Sequence, residues 1–188
     1  MKSIKKILGD LIMTNTYQCK TDIISKDERK QLLSQAMNCN YHGYETNKGT
    51  HTGLQVVSTS DGKLPLDGLV KKFVDRVNPK LKFFIADFIK FAPKDSIFIH
   101  KDDHLGRASC ITWALYPPLK DFSPVKYYNE DKTFQEAVYY EDKPLIISTR
   151  NYHSCNNESE VARYTFQICF YDSIEKLAAL DKKGELFI

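Results

Sequence analysis

After about residue 80 the chain breaks into short apolar runs, at about 82–91, 97–102, 109–116, 125–128, 136–141, 144–148 and 161–171, separated by Pro, Gly, Asn and Asp. Runs this short and this regularly punctuated pair as strands of a sandwich or barrel. The last of them constrains the fold most. Tyr164, Phe166, Ile168 and Phe170 alternate with Arg163, Thr165, Gln167 and Cys169, so a strand here turns one face to an apolar core and the other toward something polar.

The segments before and after this region read as helices and loops. Ser25 with Glu28 three residues on makes a capping-box pattern, and Leu32, Leu33, Ala36 and Met37 follow on one face, which predicts a helix over about 26–38. A second amphipathic helix opens at Pro65, carries Leu66, Leu69, Val70, Phe73, Val74 and Val77 at helical steps, and ends at Asn78-Pro79. Residues 1–22 suit a short helix or an extended arm, and 173–183 a C-terminal helix. Residues 40–62, rich in Gly, Thr, Asn, His and Tyr, read as a loop with a short strand at 54–57, placed to act as a flap. Apolar helix stripes must be buried, so the N-terminal helices are expected on one outer face of the β structure. The expected organisation is one domain, 1–188: helical and loop support over 1–80, a β core over 81–172 and a C-terminal helix and tail over 173–188.

Composition narrows the class of function. With 188 residues, 42% of them hydrophobic, the chain is long enough for one substantial core. Lys and Arg number 27 against 24 Asp and Glu, and a net charge of +3 spread along the chain argues against a nucleic-acid partner. No apolar run approaches the roughly 20 residues of a membrane span, and no signal-peptide pattern follows the basic start. Cysteines at 19, 39, 110, 155 and 169 lack any CxxC spacing, which fits reduced thiols in a cytoplasmic protein.

Candidate chemistry starts at Phe98-Ile-His-Lys-Asp102. In a strand, His100 and Asp102 share a face and can hold a divalent metal, which a third ligand would complete as two histidines and one carboxylate. His153, in the turn-rich stretch 151–157, is the candidate third ligand. Arg163 lies ten residues further on, and its planar fork suits a carboxylate, to which the Thr165 hydroxyl can add another hydrogen bond.

The ordered set His100-Lys101-Asp102, His153 and Arg163-Tyr164-Thr165 resembles the Fe(II)/2-oxoglutarate-dependent oxygenase superfamily. Phe91-Ala92-Pro93-Lys94 and His153-Ser-Cys-Asn156 are similar to the corresponding text of its small phage, bacterial and prolyl-hydroxylase-like members. The similarity covers about 82–172. It implies a mainly β fold with flanking helices, a double-stranded β-helix (jelly roll, cupin-like) whose N-terminal helices pack on one sheet. It also implies Fe(II) on His100, Asp102 and His153, with 2-oxoglutarate on the metal and its far carboxylate on Arg163 and Thr165. The implied reaction uses O2, decarboxylates 2-oxoglutarate to succinate, and hydroxylates a peptidyl residue or a small molecule.

Two departures stand beside the resemblance: Asp103 and His104 crowd the motif, and Tyr152 precedes the distal His. The first makes Asp102-x-His104 a rival ligand pair, against which we favour His100 because it lies in phase with Phe98. Arg107 sits where a loop leaves the site, and Tyr128 is one of several tyrosines placed to touch cofactor or substrate. A non-catalytic jelly-roll binding protein is the alternative reading. A zinc hydrolase on the same triad leaves Arg163 without a task.

Overall fold

A computed structural model of the chain describes residues 15–46, 49–102, 106–118, 124–137, 139 and 143–188. Its elements in order are β1 (Thr16–Gln18), α1 (Lys26–Met37), β2 (His42–Thr46), β3 (Gly49–Ser58), α2 (Gly68–Asp75), β4 (Phe83–Phe91), β5 (Ser96–His100), β6 (Ser109–Tyr116), β7 (Val125–Tyr128), β8 (Phe134–Ala137), β9 (Leu145–Ser148), β10 (His153–Asn156), β11 (Arg163–Phe170) and α3 (Ile174–Lys182). They form a seven-stranded sheet in the order β1-β9-β6-β11-β4-β3-β2 and a four-stranded sheet in the order β5-β10-β7-β8. From β4 onward the chain passes back and forth between the sheets, and only the β7–β8 hairpin stays within one. This is jelly-roll winding. No described helix is long and apolar enough to cross a membrane.

The alternation along β11 is used as the sequence predicts. Phe166 and Ile168 face the helices with Phe88 and Trp113, where Leu32 and Ala36 of α1, Val70 and Phe73 of α2, and Leu177 of α3 close over them. The Trp113 ring stacks on Phe166 at 5.6 Å between centroids. Burying side chains of this size stabilises by roughly 1.5–3 kcal/mol each, so this layer anchors the helices to the sheet. A second cluster fills the space between the two sheets and includes Leu54, Phe91, Ile97, Val125, Tyr127, Leu145 and Cys155.

The capping box at the start of α1 is formed. Glu28 N–H donates to Ser25 Oγ at 3.3 Å, and Ser25 N–H donates to Glu28 Oε2 at 2.9 Å. The same carboxylate receives Lys72 Nζ at 2.6 Å and Arg76 Nη2 at 3.0 Å, so one acidic residue both starts α1 and ties it to the end of α2. Arg76 and Lys72 hold its carboxyl well below the usual carboxylate range.

Several expectations need correction. The second helix starts at Gly68 rather than Pro65, because Asp67 is extended and serves as its N-cap; Leu66 therefore falls outside the helix and is exposed. Residues 40–62 supply the β2–β3 hairpin, and β3 pairs along β4 from Leu54 opposite Phe91 to Ser58 opposite Asp87. Pairing with the open edge of β4 supplies the order that a Gly- and Thr-rich sequence does not announce. The seven-stranded sheet thus draws β1, β2 and β3 from the first 80 residues, where one short strand at 54–57 was expected. Of the N-terminal arm, residues 1–14 lie outside the described residues, and Thr16–Gln18 pairs along β9. The stretch containing His153 is strand β10, not a turn. Cys110 and Cys169, expected as thiols, face each other across β6 and β11 and form a disulfide, because the register makes them direct partners; Cys19, Cys39 and Cys155 remain thiols.

Candidate metal centre and adjoining cavity

β5 and β10 bring the two histidines together. They are antiparallel neighbours in the four-stranded sheet, with His153 directly opposite His100, and the imidazole centroids are 4.4 Å apart. One step along the ladder Cys155 is opposite Ile97, so two residues of β10 span three of β5. That is a β-bulge, which breaks the strict alternation of the strand. Ile97 and His100, three residues apart, therefore both line the cavity between the sheets. Phe98 and His100 stay in phase, with ring centroids 6.1 Å apart, and the bulge brings Ile97 to the cavity beside His100.

Asp102 lies just beyond β5 and is positioned by its backbone. Its N–H donates to the Thr149 carbonyl at 3.0 Å, while Thr149 Oγ1 donates to the Arg107 carbonyl at 3.1 Å. Thr149 thereby ties down the chain on both sides of 103–105. Asp102 Oδ1 is 3.6 Å from His100 Nε2, and Oδ2 is 3.6 Å from His153 Nε2. One ligand atom from each of the three residues lies within 4.8 Å of the other two.

The second ring nitrogens are engaged as a metal site requires. His100 Nδ1 lies 2.8 Å from the Phe98 carbonyl, and His153 Nδ1 lies 2.9 Å from the Asn151 carbonyl. A carbonyl accepts only, so each Nδ1 carries a proton, and Nε2, on the side of Asp102, is the nitrogen that a metal would take. Burial lowers the His153 pKa to about 4, with the Asp102 charge opposing and His100 reinforcing that shift. The imidazole is therefore neutral at neutral pH. Two imidazoles and a carboxylate suit a first-row divalent metal such as Fe(II).

The same cavity, about 80 Å³ in volume, is lined at its other end by Arg163 and Thr165. Arg163 is 3% exposed, with Nη1 3.0 Å from Cys155 Sγ and 3.1 Å from the Asn156 carbonyl, and its guanidinium lies over the Phe91 ring. Cys155 is two residues past His153 on the same face of β10, a step of roughly 6–7 Å. Arg163 and the triad thus face one cavity about one strand repeat apart. Asp87 and Asp102, either of which could have been an ion partner of Arg163, serve Arg107 instead: Arg107 Nη2 is 2.6 Å from Asp102 Oδ2, and Nη1 is 3.9 Å from Asp87 Oδ2.

The remaining candidates separate. Arg107 is buried against the triad carboxylate rather than at the mouth. Tyr128 does not line the cavity; its hydroxyl is 2.9 Å from Ser154 Oγ. His42 pairs with Asp61 away from the site. His104 and the side chain of His51 lie outside the described residues. Sequence reasoning did not single out Thr149 or Thr112; Tyr139, one of the several tyrosines the sequence offers, lines the cavity, its hydroxyl 3.3 Å from that of Thr112. Tyr139 sits within the field of Arg163. A tyrosine in a strand-dense region carries no signal of its facing, so these depended on the fold.

No protein-family model and no curated protein matches the chain. Solved structures do share its fold. A prolyl hydroxylase from Trichoplax adhaerens, in complex with a hypoxia-inducible-factor peptide fragment, aligns with a TM-score of 0.60 at 14% identity over 94% of this chain and 91% of its own. The non-heme α-ketoglutarate-dependent epimerase SnoN of nogalamycin biosynthesis gives 0.61 at 10% identity over 88% and 81%. HygX from Streptomyces hygroscopicus, with nickel and 2-oxoglutarate bound, gives 0.56 at 9% identity over 88% and 86%. The chain has the double-stranded β-helix fold of 2-oxoglutarate oxygenases.

Proposed function

We propose that this protein is an Fe(II)- and 2-oxoglutarate-dependent oxygenase that uses O2 to hydroxylate a peptidyl residue or a small molecule, converting 2-oxoglutarate to succinate and CO2. The observation that carries this reading is the placement of the triad and Arg163 in one cavity, a strand repeat apart, a span suited to a five-carbon dicarboxylate. His100, Asp102 and His153 would hold the metal. Bound there, Fe(II) supplies the O2 chemistry that protein side chains lack. Arg163 would take the far carboxylate in its planar fork, with Thr165 adding a hydroxyl donor, each charge-assisted bond worth roughly 1.5–3 kcal/mol. Phe91, Ile97 and Val125 keep the intervening wall apolar, which strengthens those bonds by excluding water.

The substrate class follows the resemblance and stays broad, since the fold serves a prolyl hydroxylase seen with a peptide and an epimerase of natural-product biosynthesis. We place the protein in the cytoplasm, supported by the three cysteines that remain thiols, with the Cys110–Cys169 disulfide the one feature among the described residues that argues for an oxidising compartment.

Anaerobic addition of Fe(II) and 2-oxoglutarate is expected to give the visible charge-transfer band of the chelate, and His100→Ala to abolish it. Absence of the band in the wild type, or its persistence in the variant, refutes the proposal. Succinate formation under O2 separates the enzyme from a non-catalytic jelly-roll binder.

A further inference from the structure

Behind the triad carboxylate lies a second acid that the proposed reaction does not use. Asp87, on β4, is 2% exposed. Its Oδ2 accepts a 3.0 Å hydrogen bond from Gln167 Nε2, a residue on the polar face of β11. Burial pushes its pKa up, while Arg107, Gln167 and Ser58 favour its anion. Removing a carboxylate from water costs several kcal/mol, yet Asp87 touches neither the candidate metal ligands nor Arg163.

Its connection to the site runs through Arg107. One guanidinium nitrogen, Nη2, is 2.6 Å from Asp102 Oδ2; the other, Nη1, lies 3.9 Å from Asp87 Oδ2 and 3.8 Å from Cys169 Sγ. A guanidinium is planar, with its nitrogens at fixed angles. Turning Nη2 away from Asp102 would therefore also displace Nη1 from the charge of Asp87. The Arg107 backbone is held as well, by the Thr149 hydroxyl.

We infer that Asp87 is a positioning residue for the metal centre: it anchors Arg107, which fixes the orientation of the Asp102 carboxylate toward His100 and His153. The inference rests on the metal-centre reading above and goes beyond it by assigning a task to an acid outside the triad. Groups that orient a metal ligand are typically worth about 10–100-fold in affinity.

Mn(II) binding to the full chain, followed by electron paramagnetic resonance, tests it without turnover. Asp87→Ala is expected to weaken Mn(II) binding about tenfold. Asp87→Asn, which keeps the shape and an oxygen for Gln167, is expected to weaken it in the same direction and serves if the truncation does not fold. Whatever the affinity of Arg107→Gln, adding Asp87→Ala to it should change that affinity less than about twofold, because a residue acting through another is silent once the other is gone. The affinity of the Mn(II)-loaded protein for 2-oxoglutarate, read at the Arg163 end, should stay within about twofold of wild type. Unchanged Mn(II) affinity in both Asp87 variants, losses that add in the double variant, or a parallel loss of 2-oxoglutarate affinity would each overturn the inference. A wild type that binds no Mn(II) removes the metal-centre reading itself, whereas tight wild-type binding with unaffected Asp87 variants removes the inference alone.

Discussion

On β11, Phe166 and Ile168 are fully enclosed beneath the helices, and Arg163, Thr165 and Gln167, on the opposite face, are nearly as enclosed, at 3–6% exposure. The two faces are alike in burial and opposite in chemistry. The outer face gains stability from apolar area and ring packing. The inner face carries buried polar groups whose desolvation must be offset by specific partners, and it surrounds a cavity instead of filling it. Their difference assigns stability to one side of the strand and chemistry to the other, and substitutions should separate the two.

The largest effect on stability is expected on the outer face. Phe166→Ala removes a ring in contact with Phe73, Phe88 and Trp113 and should destabilise by about 3–5 kcal/mol in chemical denaturation. Protein that remains folded should keep wild-type affinity for 2-oxoglutarate, since the inner face is untouched. A loss of affinity in the folded fraction would erase the division.

Acid should act from the inner side. The His153 pKa is lowered from 6.5 to about 4 in the folded chain, so below pH 6.5 the unfolded chain takes up a proton that the folded one refuses. Stability from this group is full above pH 6.5, falls as pH drops, and levels off below about 4, a loss of about 3 kcal/mol. Denaturation of the metal-free protein across that range should show this loss, reduced in His153→Gln. An identical pH profile in the variant would assign the acid sensitivity elsewhere.

The smallest effect on stability, and the sharpest test of the comparison, is Thr165→Val. It keeps the side-chain shape and removes one hydroxyl from the cavity wall, so stability should shift by less than about 1 kcal/mol. Affinity for 2-oxoglutarate, measured calorimetrically, should fall roughly 10–100-fold, the worth of one charge-assisted hydrogen bond. Unchanged affinity would remove Thr165 from the carboxylate site.

Much of this organisation is legible in the chain. The Ser25–Glu28 cap, the runs that became β6 and β7, and the two faces of β11 depend on neighbours one to four residues apart, where local geometry follows residue type. The candidate ligands were legible as types in order. That Ile97 lines the cavity beside His100 was not, because the bulge between them exists only where β5 pairs with β10. Strand β10 was hidden for the same reason: His-Ser-Cys-Asn has little strand character, and two neighbouring strands impose it.

The sequence by itself determined which groups are available: two imidazoles, a carboxylate, and a guanidinium on a strand that turns it inward opposite an apolar face. Only the tertiary structure decided their pairing. Arg107 rather than Arg163 pairs with Asp87 and Asp102, Cys110 meets Cys169, and Thr149 ties the chain at Asp102 and at Arg107. These partners are far apart along the chain, and registers between distant strands bring them within bonding distance.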